Sequence, residues 1–208
     1  MEVYRPERVL AFSDAVFGVA ITLLVIDLRL PEMPRDADDA AMMKALLAMG
    51  QPVFVFVFTF AVVGLSWVGH HRKFSLVERV DERLIWLNLV YLLALCLVPF
   101  ASSTLGAHGE SRIAFALYAG VMAFTDVLSA AVSVYAIRVP FAAAQTVARR
   151  GLRTAMIGAP LLGGLLFALS ATVALAGWVR LAHWTLLVII PAMSTLGRWA
   201  RRLQSMAA

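Results

Sequence analysis

The chain has 208 residues, 62% hydrophobic and only 15% charged, against about 45–50% apolar and about 25% charged in soluble domains. A soluble core of this size could not bury so much apolar surface, so lipid is the solvent this composition calls for. The net charge of +5 is accounted for by membrane topology and calls for no nucleic-acid partner, while the lone cysteine, Cys96, excludes an intramolecular disulfide and a thiolate metal site.

Apolar runs lie roughly at 9–30, 45–69, 84–106, 113–137, 154–177 and 181–197. Each is long enough to cross a bilayer, which takes about 20 helical residues at 1.5 Å rise. They predict an all-α integral membrane protein, one domain over 1–208 with six transmembrane helices and only short polar connections.

The first run carries Arg8, Ser13 and Asp14 near its start and an aliphatic ladder beyond. Ionisable groups inside a bilayer are costly and mark functional sites by default. Glu2 and Glu7 beside Arg5 and Arg8, a long apolar run and no small-x-small site after it argue for a retained helix over a cleaved signal peptide. The loop Pro31–Lys44, rich in Pro and Asp, suits an outer crossing as coil plus a short helical turn. Helix two closes on Trp67-Val-Gly-His70-His71-Arg72, and the charged, amphipathic link Ser75–Arg83 suits the membrane interface. Helix three opens Leu84-Ile-Trp-Leu-Asn88 and ends near Pro99-Phe100. Asp126 lies well inside helix four without a partner evident in sequence. Helix five carries Gly158, Gly163 and Gly164, small residues that permit close helix contact. Prolines 52, 99, 160 and 191 within or at the ends of spans are tolerated kinks in membrane helices.

Charge sets the orientation. One side of a six-span chain collects Arg5, Arg8, Arg72, Lys73, Arg79, Arg83, Arg138, Arg149, Arg150, Arg153, Arg198, Arg201 and Arg202, which is 13 of the 18 basic residues. The other has Arg29, Arg35, Lys44, Arg112 and Arg180, with the acidic Asp36, Asp38 and Asp39. By the positive-inside rule both termini are cytoplasmic.

Depth arithmetic groups the polar residues. Asp14 lies about 9 Å up the first helix from Arg8. Trp67 and His70 lie just inside Arg72, and Asn88 just inside Arg83. All approach one level near the cytoplasmic face, and a buried Asp needs donors that an indole, an imidazole and an amide can supply. The expectation is a hydrogen-bonded knot of Arg8, Ser13, Asp14, Trp67, His70 and Asn88 that fixes helix packing. On the wheel of the first helix, Val19, Leu23, Ile26 and Leu30 fall within about 60° of one another, and Phe12 and Ala15 continue the stripe toward the cytoplasm. Thr22 flanks the stripe; Ser13 and Asp14 point away from it. Asp27, at the outer end, is placed either to attract cations to a mouth or to cap the helix. The spans hold no paired nucleophile and base, no metal-ligand cluster and no phosphate loop; His70 and His71 are adjacent, the wrong spacing for one helix face. Neither an enzyme nor a cofactor is expected. A proton-conducting leak or proton-coupled transporter using Asp14, His70 and Asp126 is the alternative to passive ion conduction.

Arg8-x-x-x-Phe12-Ser13-Asp14, followed by Ala-Val-Phe-Gly-Val-Ala-Ile-Thr-Leu-Leu-Val-Ile-Asp27-Leu, resembles the first-helix signature of the transmembrane-protein-175 potassium channels. Trp67-x-x-His70-His71, Asn88 and Pro99-Phe100 match the prokaryotic pattern, so the resemblance covers roughly residues 5–105 by motif. It implies a homotetramer in a prokaryotic plasma membrane, K⁺ as the permeant ion, and four copies of the first helix around a central axis. It also implies no carbonyl filter, and the chain lacks a Thr-Val-Gly-Tyr-Gly loop. In that family aliphatic side chains of the first helix form the constriction. Carried over, the positions are Val19, Leu23 and Ile26, with Thr22 as a flanking hydroxyl for the modest K⁺ preference. The innermost position is commonly Ile in the family, so Val19 is one methylene smaller.

Overall fold

A computed structural model describes residues 3–138 and 150–205. Helix α1 (Pro6–Ile26) starts on a proline, whose fixed φ and missing N–H suit a first helical turn, and stops at Asp27. A short helix α2 (Asp39–Ala48) follows, its first turn capped by Asp38 Oδ1, which accepts from the Ala41 N–H at 2.8 Å. Then come α3 (Gly50–Phe74), α4 (Glu82–Cys96), α5 (Val98–Ala107), α6 (Arg112–Arg138), α7 (Arg150–Leu175) and α8 (Val179–Ser205). Arg149, which the charge reading placed on the cytoplasmic side, lies outside the described residues; so do the side chains of Arg138, Arg150, Arg198, Arg201 and Arg202.

Among the described residues five segments are long and apolar enough to cross a membrane: Pro6–Ile26, Gly50–Phe74, Glu82–Ala107, Arg112–Ile137 and Gly151–Leu175. The sixth expected span is present as a helix, but its apolar part, Val179–Thr195, is shorter. The first span closes at Ile26, so Leu30, placed on the stripe by the sequence, lies beyond the helix. Two further spans differ from the sequence reading. The second span begins at Gly50, because residues 39–48 form the separate α2, and it runs on through Lys73 and Phe74. The third does not stop near Pro99. It breaks at Leu97 and resumes as α5, since Pro99 lacks an N–H and its ring crowds the carbonyl four residues back.

Helix α1 lies against α3, α4 and α5; α6 packs on α4 and α5 and most extensively on α7, which in turn carries α8. The central core holds Phe17, Phe58, Tyr91, Phe115, Tyr118 and Phe167. Several of the hydroxyls that enter it are paired. Thr59 of α3 meets the Tyr118 hydroxyl of α6 at 2.9 Å and accepts from Ser102 of α5 at 3.3 Å. Ser170 and Thr185 join α7 to α8 at 2.6 Å.

The link between α3 and α4 is amphipathic, as its sequence suggests, with Ser75, Glu78 and Arg79 exposed. Val77 and Val80 are buried, and a two-residue antiparallel pairing sets strand β1 (Val3–Tyr4) against β2 (Val80–Asp81), with Val3 opposite Asp81 and Tyr4 opposite Val80. This clip brings the starts of α1 and α4 together. Asp81 finishes the joint: one carboxylate oxygen accepts from the Leu84 N–H at 2.9 Å, the other from the Tyr135 hydroxyl at 2.7 Å. One buried side chain thus caps α4 and holds the end of α6.

Removing that carboxylate in Asp81→Ala takes away a helix cap and orphans a phenol, so it should cost about 1–3 kcal/mol, read as a lower thermal midpoint in detergent. Tyr135→Phe removes only one bond, and its loss should be about 0.5–1.5 kcal/mol. Equal and negligible effects in both variants would show that the joint contributes nothing.

Candidate functional site

Helix α1 has two unlike faces. Ser13, Phe17, Ala20 and Leu24 are buried, recurring every three or four residues as an inward helical stripe must. On the opposite side Val19 is 57%, Leu23 40% and Ile26 56% exposed. Among the described residues the aliphatic ladder is therefore left largely uncovered. Phe12 is exposed at the start of the same face, and Thr22 lies exposed on its flank. The Thr22 hydroxyl donates to the Val19 carbonyl at 2.9 Å, which pins its rotamer and leaves its lone pairs outward. Asp27 is the residue that closes α1, its own N–H bonded to the Val25 carbonyl, and its carboxylate stays exposed. As a C-terminal residue it provides no capping charge, since cations are what a helix C-terminus attracts.

The expected polar knot divides into two branches. The inner branch is buried and directional. His70 Nε2 bonds Asn88 Oδ1 at 2.8 Å, Asn88 Nδ2 donates to Ser13 Oγ at 2.9 Å, and Ser13 Oγ donates to the Val9 carbonyl at 2.8 Å. An amide oxygen accepts only, so His70 carries its proton on Nε2 and Nδ1 is left as a buried nitrogen without a partner. Phe17 and Tyr91 flank the imidazole, Tyr91 nearly parallel to it at 5.6 Å between centroids. The branch ties α1, α3 and α4 together at one level.

The outer branch is partly exposed. Trp67 Nε1 donates to Asp14 Oδ1 at 2.8 Å, and His71 Nδ1 lies 4.0 Å from Asp14 Oδ2. Asp14 thus pairs with α3 on the subunit surface and does not enter the buried branch. Arg8 is exposed and makes no hydrogen bond or ion pair among the described residues. Six residues expected in one knot become three in the buried branch, two in the surface branch, and one in neither.

Two buried charges escaped the sequence reading. Lys73, counted there among loop charges, turns inward and is 3% exposed; Asp126, noted but unexplained, is 4% exposed. For Lys73 the signal was helical phase. It lies three residues after His70, on the same face of α3. For Asp126 the neighbours come from α7 and are remote in sequence.

Residues 8–99 match the family described as endosomal/lysosomal potassium channel TMEM175. A potassium channel of Chamaesiphon minutus is 36% identical over 117 residues, covering 55% of this chain and 57% of that protein. A potassium channel of Streptomyces collinus is 40% identical over 120 residues, covering 55% and 56%. The chain thus matches a little over half the length of these relatives. At the level of structure the likeness is nearly end to end. The crystal structure of a lysosomal potassium-selective channel TMEM175 homologue from Chamaesiphon minutus superposes with a TM-score of 0.78 at 26% identity, covering 91% of this chain and 96% of that one.

The two branches should separate by mutation. Asn88→Ala empties a buried site and leaves the His70 Nε2–H without an acceptor, so a loss of about 2–4 kcal/mol is expected, while Trp67→Phe at the surface should cost less than about 1 kcal/mol. Thermal unfolding in detergent, followed by circular dichroism, reads both. A Trp67→Phe loss as large as that of Asn88→Ala would place the stabilising weight on the Asp14 branch instead.

Proposed function

We propose that this chain, which belongs to the TMEM175 family, is a passive potassium channel assembled as a homotetramer, with four copies of α1 around the conduction path. The observation that carries the reading is the exposed aliphatic stripe of α1, set opposite a face that the subunit itself buries. Relatives named as potassium channels support the ion.

The mechanism follows from the side chains. Val19, Leu23 and Ile26 stand roughly one helical turn apart, about 6 Å and then about 4.5 Å along the axis. Brought around a four-fold axis they make three aliphatic rings. A narrow ring of this kind stops ions by dewetting, and a small rotation or outward movement of α1 wets it. Val19 is the smallest of the three, so the tightest ring falls at Leu23 or Ile26. Thr22 hydroxyls beside the rings supply oxygen ligands to a partly dehydrated K⁺, and the free Asp27 carboxylates raise cation concentration at the outer mouth. The inner branch at Ser13, Asn88 and His70 holds the rotation of α1 that turns the stripe outward. In this reading α8 is the sixth span, its apolar part about 26 Å long; both termini face the cytoplasm of a prokaryotic cell.

A proton path through Asp14, His70 and Asp126 is less well supported. Asp14 and His70 sit in separate branches with no hydrogen bond between them, and Asp126 belongs to the packing of α6 on α7.

Replacing Leu23 with Ser should raise K⁺ conductance of the purified protein in bilayers several-fold, because a polar ring wets more readily. Unchanged currents would sink the aliphatic constriction. Thr22→Ala should leave conductance near wild type and lower the preference for K⁺ over Na⁺, read from reversal potentials under biionic conditions. Imposing opposed K⁺ and proton gradients decides the carrier: a reversal potential that follows the proton gradient would overturn the potassium reading.

A further inference from the structure

Away from the α1 stripe, side chains of α3, α4 and α6 meet in a buried polar group that conduction does not use. Asp126 of α6 is buried, and its Oδ2 has no hydrogen-bond partner. Facing it, α7 presents Gly163 and Gly164. A Cβ added at 163 would collide with that oxygen and lie 3.2 Å from the Met193 sulfur of α8; one at 164 would lie 3.3 Å from the Asp126 Cβ and 3.3 Å from the Ala123 carbonyl. The carboxyl group therefore occupies a notch that glycine keeps open. Lys73 enters from α3 and places Nζ 2.7 Å from the Ser129 carbonyl and 3.2 Å from its hydroxyl, one turn beyond Asp126 on the same face. The ammonium and the carboxylate feel one another's charge, yet they do not come within the 4.0 Å of an ion pair. From α4 the Tyr91 hydroxyl is also buried, has no well-formed hydrogen bond, and lies in reach of Ser129.

A full cation and a full anion, both dry and not in contact, make an expensive arrangement. Moving one proton from Lys73 Nζ to Asp126 Oδ2 turns them into an amine and a carboxylic acid, with no change in total charge and no buried ion. The charged or titratable groups facing Asp126 are Lys73 from α3 and Tyr91 from α4; α7 offers glycines and α8 a thioether. Lys73 is the last residue but one of α3, so the pair sits near the end of that span.

We propose that Lys73 and Asp126 form a second binding site of this protein, whose ligand is a proton: the pair shares one and takes up another from the side of the membrane where α3 ends, at the seam where α6 packs on α7. The two groups then titrate as a unit. Uptake converts an uncharged pair into one with a net positive charge, and the Asp126–Gly163 contact is the place where that change is felt.

Infrared difference spectra of the full chain in liposomes, with carboxyl-labelled aspartate, test this without any current measurement. At neutral pH the wild type should show an aspartic-acid carbonyl band that grows on acidification, disappears in Asp126→Asn and persists in Asp14→Asn. In Lys73→Met the acid has no partner with which to share its proton. Its band at neutral pH should rise on the order of twofold and lose its pH dependence. Absence of an acid band in the wild type would overturn the proposal, as would a band assigned to Asp14. So would a Lys73→Met band identical to wild type in size and pH response. Should Asp126→Asn fail to assemble, the comparison of wild type with Lys73→Met makes the same decision.

Discussion

The rotation of α1 about its own axis is the constraint on which the rest depends. A helix whose apolar residues run all the way round has no hydrophobic reason to choose a rotation, because lipid tails are as apolar as its neighbours' side chains. Here the choice is made by one hydroxyl. Ser13 can satisfy Asn88 and its own Val9 carbonyl only when it faces α4, and Phe17, Ala20 and Leu24 follow it inward. Turning α1 by one residue, about 100°, would break the Asn88–Ser13 bond and leave the Asn88 amide N–H without its partner in the core, while the His70–Asn88 bond between α3 and α4 would remain. Interhelical hydrogen bonds in membranes average only about 0.6 kcal/mol, so the cost of orphaning that buried amide adds to the bond itself in holding the setting.

How much of this could be read beforehand follows from the range of each interaction. The stripe at Val19, Leu23 and Ile26 and the inward face opposite it belong to one helix, and helical period alone separates them. The common level of Ser13, His70 and Asn88 was also legible, since the basic residues at the span ends give a depth scale that works across helices. Depth without azimuth, however, cannot say which residues at a level face each other. Hence Asp14 and Trp67 were expected inside and are found at the subunit surface, and Arg8 was expected in a knot it does not join. Residues 45–48, the end of α2, are part of the apolar run assigned to the second span, because that run carries no mark at Met49, where the helix breaks.

Lys73 and Asp126 show the same limit more sharply. Positive-inside counting treats every Lys near a span end as a loop charge, and it has no term for a side chain that turns back into the bundle. Gly163 and Gly164 read as packing residues from sequence, but what they pack around is the carboxyl group of Asp126, on another helix and remote in the chain. The β1–β2 clip, two residues on each side, is too short to leave any alternation in sequence.

The two buried polar groups divide the protein into parts with different tasks. Ser13, Asn88 and His70 join α1, α3 and α4 through neutral bonds, with His70 Nδ1 left without a partner. The Lys73–Asp126 group lies between α3 and the α6–α7 seam, and there it is a carboxylate oxygen that is left without one. Incompleteness in a dry interior is costly and persists where it serves something beyond packing. Because α3 contributes both His70 and Lys73, three residues apart, any movement at the second group is transmitted by a rigid helix to the first. A change of charge at the α6–α7 seam is then placed to bias the rotation of α1.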